Sequence, residues 1–460
     1  MEGDAVVWLG GGMAAGLALV SAATLAERAL FTGLFDFTTE YRVVATFSSM
    51  HLGGGYIGAY LAMALPFLLV FLIRANALTL LAMLGIAAGA GYAVVVGFAR
   101  TAYVCASIST FTACLGWAWA VRRRTGRLAS AVLSALLLLS VGGIVTAASG
   151  TRFMSERLQH IVPDLAVREG NWLGGLDLRD RGAATVLFGM GLGTYPRVVL
   201  ARGQSGHVPT NFVVGQDGAY RFLSLTAASP TYLGQKIQIE PDQRYRLFLA
   251  LRSPDGKGAL MAILCEKMLL YSVNCRSAVF HPRTPGKWED FGQVLSTAGL
   301  DETAVLGWLE RPVELSLFNP ITGTTIEIGH VRMFDPQDHD ILANGDFSRG
   351  VERWYFTDDE HLVWRIKNEY LMTLFESGVL GLASFILLAG AALVGAVRAI
   401  GRGDRMAAAI LGSLVAVLGS NLFDAVLEVP RLATLFYIVA FAGLTMAQFS
   451  PSSTRSGLHE

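Results

Sequence analysis

The sequence predicts a polytopic α-helical membrane protein of about eight spans with an inserted domain of short helices and an antiparallel β-sandwich. Three observations carry this. Of 460 residues, 53% are hydrophobic and only 16% charged, a composition outside the soluble range. The apolar residues fall in long blocks, and a bilayer core of roughly 30 Å needs about 20 of them per helix. Between the fifth and sixth blocks lies a long polar interval whose later part alternates apolar and polar residues with period two, the signature of half-buried strands.

The candidate spans are residues 6–26, 54–73, 77–96, 101–121, 128–148, 370–397, 406–427 and 432–449. "MEGDAVVWLGGG" lacks a basic n-region, so the first span reads as an uncleaved anchor rather than a signal peptide. Arg74, "RRRTGR" (122–127) and "RAIGRGDR" (398–405) are the basic loops. Lys and Arg of short loops stay on the cytoplasmic side, which puts both termini inside and the insert outside. The expected location is a bacterial inner membrane with a periplasmic insert. Residues 1–150 hold spans one to five, 151–205 a periplasmic helical segment, and 206–357 the sandwich. Residues 358–450 bring the chain back through spans six to eight, and 451–460 form a cytoplasmic tail.

Strands are expected at "GAYRFLSL", "QKIQIEP", "RYRLFLALRS", "GALMAILCE", "LLYSVNC", "PVELSLFNP" and "TTIEIGHVRMF". "ILANGDFSRGVERW" (341–354) resembles the end strand of jelly-roll carbohydrate-binding modules, most of its residues serving the turn. Cys265 and Cys275 lie on neighbouring expected strands, where an oxidising compartment permits a structural disulfide. Cys105 and Cys114 read as helix-packing thiols. No Cys-x-x-Cys or His-Glu-x-x-His spacing occurs, so metal chemistry is not suggested. Formal net charge is zero, and no basic surface argues for nucleic acid.

The stretch "RIKNEYLMTLFESGVLG" (365–381) leads from the polar insert into the sixth span. It parses as Lys367-Asn368, nine residues, then Gly378-Val379-Leu380-Gly381, and so resembles the His-Asn/Ser/Gln, nine-residue, Gly-x-x-Gly signature of the O-antigen ligase and polymerase superfamily. Lys367 stands in the histidine position. "GFARTAYVCASIST" is similar to that family's Thr-x-Ser-Arg-Gly/Ala helix start, with Arg100 at its first arginine. "VREGNWLGGL" followed by "LFGMGLGTYP" is similar to its Arg…Trp…Gly-rich segment, with Arg168 at the second. A looser match runs through Arg42.

The resemblance implies a metal-independent, inverting glycosyltransferase with no cofactor. Its donor is an undecaprenyl diphosphate-linked glycan and its acceptor is lipid A core or a growing polysaccharide. The implied setting is a lipid bilayer, beside other polysaccharide assembly proteins. Guanidinium groups grip phosphate oxygens bidentately and keep their proton. Arg100 and Arg168 are therefore expected to hold the diphosphate, with Arg42 and Arg365 as helpers. For the proton of the acceptor hydroxyl, either His361 is the base and Lys367 a phosphate contact, or the reverse. Asn368 and Glu376 are further candidates, since an ionisable residue within a span is usually functional or paired. Gly378 and Gly381 are expected to allow close helix packing. Asp424 and Glu428 either line the acceptor site or are loop residues. A non-catalytic glycan-binding or scaffold component of a polysaccharide export system is the alternative of a different class.

Overall fold

A computed structural model describes residues 2–37, 41–47, 55–72, 76–121, 161–202, 211–218, 220–227, 231–269, 271–300, 311–358 and 364–448. The chain divides into two compact units. One comprises Met1–Ser48, Gly53–Tyr195 and Arg365–Glu460, and the other is essentially Pro196–Trp364.

The first unit is helical. Its described helices are α1 (Glu2–Phe31), α2 (Gly55–Ala64), α3 (Ala77–Val96), α4 (Arg100–Val121), α5 (Ile161–Asp177) and α6 (Ala183–Phe188). After the insert come α8 (Glu369–Gly401), α9 (Met406–Ser420) and α10 (Pro430–Gln448). Of these, α1, α3, α4 and α8 are long and apolar enough to cross a membrane. Their apolar residues cover more than one face: Val104, Ile108, Phe111, Leu115 and Trp119 of α4 are exposed while Ala102, Cys105, Ala113 and Trp117 are buried. An apolar stripe left bare in this way fits lipid rather than water.

Two expected spans are shorter than their apolar runs. The run at 54–73 is α2 followed by a 3-10 helix, Leu65–Leu72. The change comes at Pro66, which has no N–H to give to an α-helical bond. The run at 406–427 is helical only to Ser420 and then turns. The basic loop 122–127 and the expected fifth span at 128–148 lie outside the described residues.

The second unit holds α7 (Tyr195–Arg202) at its start and two five-stranded antiparallel sheets. In chain order the strands are β1 (Asn211–Asp217), β2 (Tyr220–Thr226), β3 (Thr231–Ile237), β4 (Arg244–Arg252) and β5 (Leu260–Met268). They continue as β6 (Tyr271–Phe280), β7 (Glu289–Ser296), β8 (Val313–Phe318), β9 (Thr325–Phe334) and β10 (Tyr355–Asp358). One sheet runs β1-β2-β9-β4-β7 and the other β10-β3-β8-β5-β6, so the chain crosses between sheets at most connections, as in a jelly roll. Alternate residues of both sheets build the core: Leu247, Leu249 and Leu251 of β4 face Leu260, Leu264, Leu315 and Leu317.

Cys265 and Cys275 form a disulfide at the bulge of the β5–β6 pair. The "ILANGDFSRGVERW" stretch is a turn cluster, as expected of most of its residues. The Asn344 side chain donates to the Gly350 and Glu352 carbonyls (3.0 and 2.8 Å), and the Trp354 indole N–H donates to the Asn344 carbonyl (3.1 Å). The last strand is β10, immediately after this motif.

Candidate functional site

The site is built where the chain returns to the helical unit. Asn368 is extended (φ −162°), and its Oδ1 accepts the Leu371 N–H at 3.1 Å, which caps α8. Its Nδ2 donates to the Leu422 carbonyl (3.1 Å), and the Glu369 N–H donates to the Asn421 carbonyl (2.9 Å). The turn after α9 is thus laced to the start of α8. From the other side the Trp172 indole of α5 donates to the Lys367 carbonyl at 3.1 Å. Asn368 thus caps α8 and ties it to the turn after α9, while Trp172 holds the Lys367 backbone.

Lys367 is 5% exposed, with Nζ 3.8 Å from Oδ2 of Asp424. Burial lowers its pKa to about 8. Asp424 opposes the shift, while the positive charges of Arg365, Arg168 and Arg42 add to it. Arg168 on α5 donates to the Phe423 carbonyl. Burial lowers its pKa too, and the charge of Arg100 adds to that against Asp424 and Asp164. Arg100, the first residue of α4, pairs with Asp164. Arg42 donates through Nε to the Gly97 carbonyl at 3.3 Å. Nη1 of Arg365 lies 3.1 Å from Oε2 of Glu428, with the guanidinium 5.6 Å from the Tyr56 ring centroid. Five cations from four segments thus act on one another, interleaved with Asp164, Asp424 and Glu428.

Burial pushes the Glu428 carboxyl up to about 7, against the lowering effect of Arg365. Sequence reasoning gave Asp424 and Glu428 no firm role. They are acids four apart on a short turn between two apolar helices, and their partners lie about sixty positions earlier in the chain.

Two expected site residues remain. His361 lies outside the described residues. Glu376 is on α8, but its Oε1 accepts the Gly193 N–H at 2.8 Å, and the N–H groups of Thr194 and Tyr195 also bond to its carboxylate. It is paired with backbone, which accounts for its tolerance inside an apolar helix. The neighbouring Gly378 interrupts α8 with φ +66°, ψ −166°. There the Phe375 and Glu376 carbonyls accept the N–H groups of Met190 and Gly191 at 2.8 and 2.9 Å. Its role is thus to break the helix and let the "LFGMGLG" loop cross it, not to pack two continuous helices.

The class these features define is a helical unit of membrane type, with a cation-rich site beside a helix start and an inserted antiparallel sandwich. Comparison with family models and with curated proteins finds no match. Among solved structures, the chain is similar to one described as "CBM4 structure and function", at 15% identity and a TM-score of 0.22, covering 29% of this chain and 81% of that one. It is likewise similar to one described as "Family 16 Carbohydrate Binding Module-2", at 13% identity and a TM-score of 0.21, covering 28% and 86%. Likeness this slight carries nothing about what the sandwich binds.

Proposed function

We propose that the protein is a glycosyltransferase of O-antigen ligase type, moving a glycan from an undecaprenyl diphosphate carrier to an acceptor hydroxyl at the periplasmic face of a bacterial inner membrane. The observation that supports this reading best is the convergence of Arg42, Arg100, Arg168, Arg365 and Lys367 within one unit. Such a crowd of cations is costly by itself, because each disfavours the charge of the next. A diphosphate bearing negative charge relieves that repulsion, most of all when it leaves. Arg100 and Arg168 are the main phosphate contacts in this reading, and Asp164 and Asp424 balance them in the absence of substrate. Lipid A core or the growing polysaccharide supplies the hydroxyl.

The test is transfer by the full-length protein from undecaprenyl diphosphate-linked saccharides, with chelator present, beside Arg100→Ala and Arg168→Ala. The expected result is transfer by the wild type, with losses of roughly 100-fold or more in each variant. Transfer that survives both substitutions would remove the arginine clamp, and product size separates ligation from polymerisation.

A second reading, a glycan-binding component without catalysis, is favoured by the outer face of the β1-β2-β9-β4-β7 sheet. Trp288 and Phe222 meet edge-on with centroids 5.8 Å apart, and the Arg252 guanidinium sits 4.4 Å over the indole. Asp217 and Glu327 pin that arginine at 2.8 and 2.5 Å. An aromatic surface held rigid this way suits stacking on a sugar ring. Glycan retention by the intact protein that falls in Trp288→Ala, with no transfer under any condition, would favour this second reading over the first.

A further inference from the structure

Four carboxylates lie in or beside the cationic cluster, and they are not equivalent. Asp164 is engaged with Arg100. Asp424 accepts the Ala425 N–H on Oδ1 at 3.0 Å and turns Oδ2 toward Lys367. Glu369 is 9% exposed and accepts the Leu427 N–H on Oε2 at 3.1 Å. Glu428, like Asp164, pairs one oxygen with an arginine and keeps part of its side chain exposed, but its arginine is Arg365, two residues before Lys367 in the segment that leads into α8. Its Oε2 lies 3.1 Å from Nη1 of Arg365, 28% of its side chain is exposed, and among the described residues its Oε1 accepts no hydrogen bond.

We propose that Glu428 is the catalytic base of the transfer, the group that takes the proton of the acceptor hydroxyl. This rests on the transferase reading above. The hydroxyl oxygen attacks the anomeric carbon and forms the new glycosidic C–O bond. The C–O bond to the diphosphate breaks, its electron pair leaving with the diphosphate, and the hydroxyl proton passes to Oε1 of Glu428. Arg365 holds Oε2 meanwhile and so aims Oε1. Once the carboxyl is neutral, the Arg365 charge no longer faces a carboxylate, at the moment when the leaving group gains charge.

The position of the residue suits this work. It lies in a 3-10 turn, Val426–Glu428, that follows the turn laced to the start of α8. The charged groups that face it are Arg365 from the approach to α8, Asp424 from the preceding turn, and Glu369 and Glu376 from α8 itself. Burial keeps the carboxyl close to neutrality against the pull of Arg365, and the charges of Asp424 and Glu376 add to the effect of burial. A base is most effective when its pKa lies near the working pH.

The experiment compares the full-length wild type, Glu428→Gln, Glu428→Asp and His361→Ala. The donor is a pool of undecaprenyl diphosphate-linked saccharides, with lipid A core and free oligosaccharide as acceptors. A general base contributes roughly 10²–10⁴-fold, so Glu428→Gln is expected to lose kcat by at least about 100-fold while the donor KM stays within about threefold. Its residual rate should be flat through the acidic limb that the wild type shows near pH 7. Glu428→Asp should restore part of kcat and the limb with it.

An unimpaired Glu428→Gln overturns this proposal and leaves the transferase reading standing. So does a loss confined to KM, or an acidic limb that persists in Glu428→Gln and vanishes in His361→Ala. A wild type that makes no product with any acceptor overturns both.

Discussion

Lys367 is buried among arginines, and this gives it an unusual titration. Its charged form is disfavoured, with the pKa lowered to about 8. If the ammonium grips phosphate, kcat/KM should fall as pH rises through about 8, because kcat/KM reports the free enzyme. Lys367→Arg, which keeps its charge, should carry that alkaline limb beyond the measurable range. A limb unmoved by this substitution would assign the titration elsewhere. The same shift has a stability consequence of definite sign. Below about 8 the lysine is charged in both folded and unfolded chains, and the folded state bears the full cost of burying that charge. Between about 8 and the unfolded value near 10.5 the unfolded chain binds more protons, so stability rises with pH. The melting midpoint of the helical unit should climb across that window in the wild type and stay flat in Lys367→Gln. The basic residues were legible because each lies in a short motif. Asp424 and Glu428 were not, because nothing within ten residues of them signals that Lys367 and Arg365 will face them.

At the scale of elements, the most informative feature is the interruption of α8. A Cβ on Gly378 would lie 2.4 Å from the Leu187 carbonyl oxygen and 2.6 Å from the Gly189 nitrogen, both backbone atoms that cannot rotate aside. Its φ and ψ also fall in a region that is essentially glycine-only. Gly378→Ala should therefore lose more than the roughly 1–3 kcal/mol of backbone strain alone, read as a lower melting midpoint. Gly390 in the same helix has open space around it, and Gly390→Ala should be neutral or stabilise by up to about 1 kcal/mol. Equal effects of the two would mean that α8 runs unbroken. No periodicity rule could reveal this break, since "GVLG" inside an apolar run is compatible with an ordinary packed helix. The strands were easier to read. Those with clean alternation, such as β4, β8 and β9, fall where period two put them. β1, β7 and β10 escaped, and in β7 "EDFGQVLS" offers a glycine and several polar residues beside one buried apolar side chain. The 341–354 motif was read as mostly turn residues at an end strand, and Asn344 and Trp354 do build a turn immediately before β10.

On the scale of the whole molecule, the chain has two cores and only one disulfide among the described residues, and that bridge lies within the sandwich. Cys265 and Cys275 are ten residues apart and join β5 to β6, the edge strand of its sheet. Closing a loop of this length stabilises by about 3 kcal/mol in the chain-entropy picture. The helical unit owes its stability to other contacts: Glu27 Oε1 accepts the Tyr41 hydroxyl (2.7 Å) and the Val44 N–H (3.1 Å), and Ser109 donates to the Ala62 carbonyl (2.8 Å). A double Cys265→Ser, Cys275→Ser variant should therefore loosen one unit and spare the other. Hydrogen exchange followed peptide by peptide in the intact protein distinguishes the cases. Strands β5, β6 and β8 should exchange faster, by a factor approaching 100 where global opening of the sandwich governs, while α4, α8 and α9 keep wild-type rates. Helices that loosened in step with the strands would mean that the two cores unfold as one cooperative body, and glycan bound by the sandwich would then be felt directly as stability of the helical site.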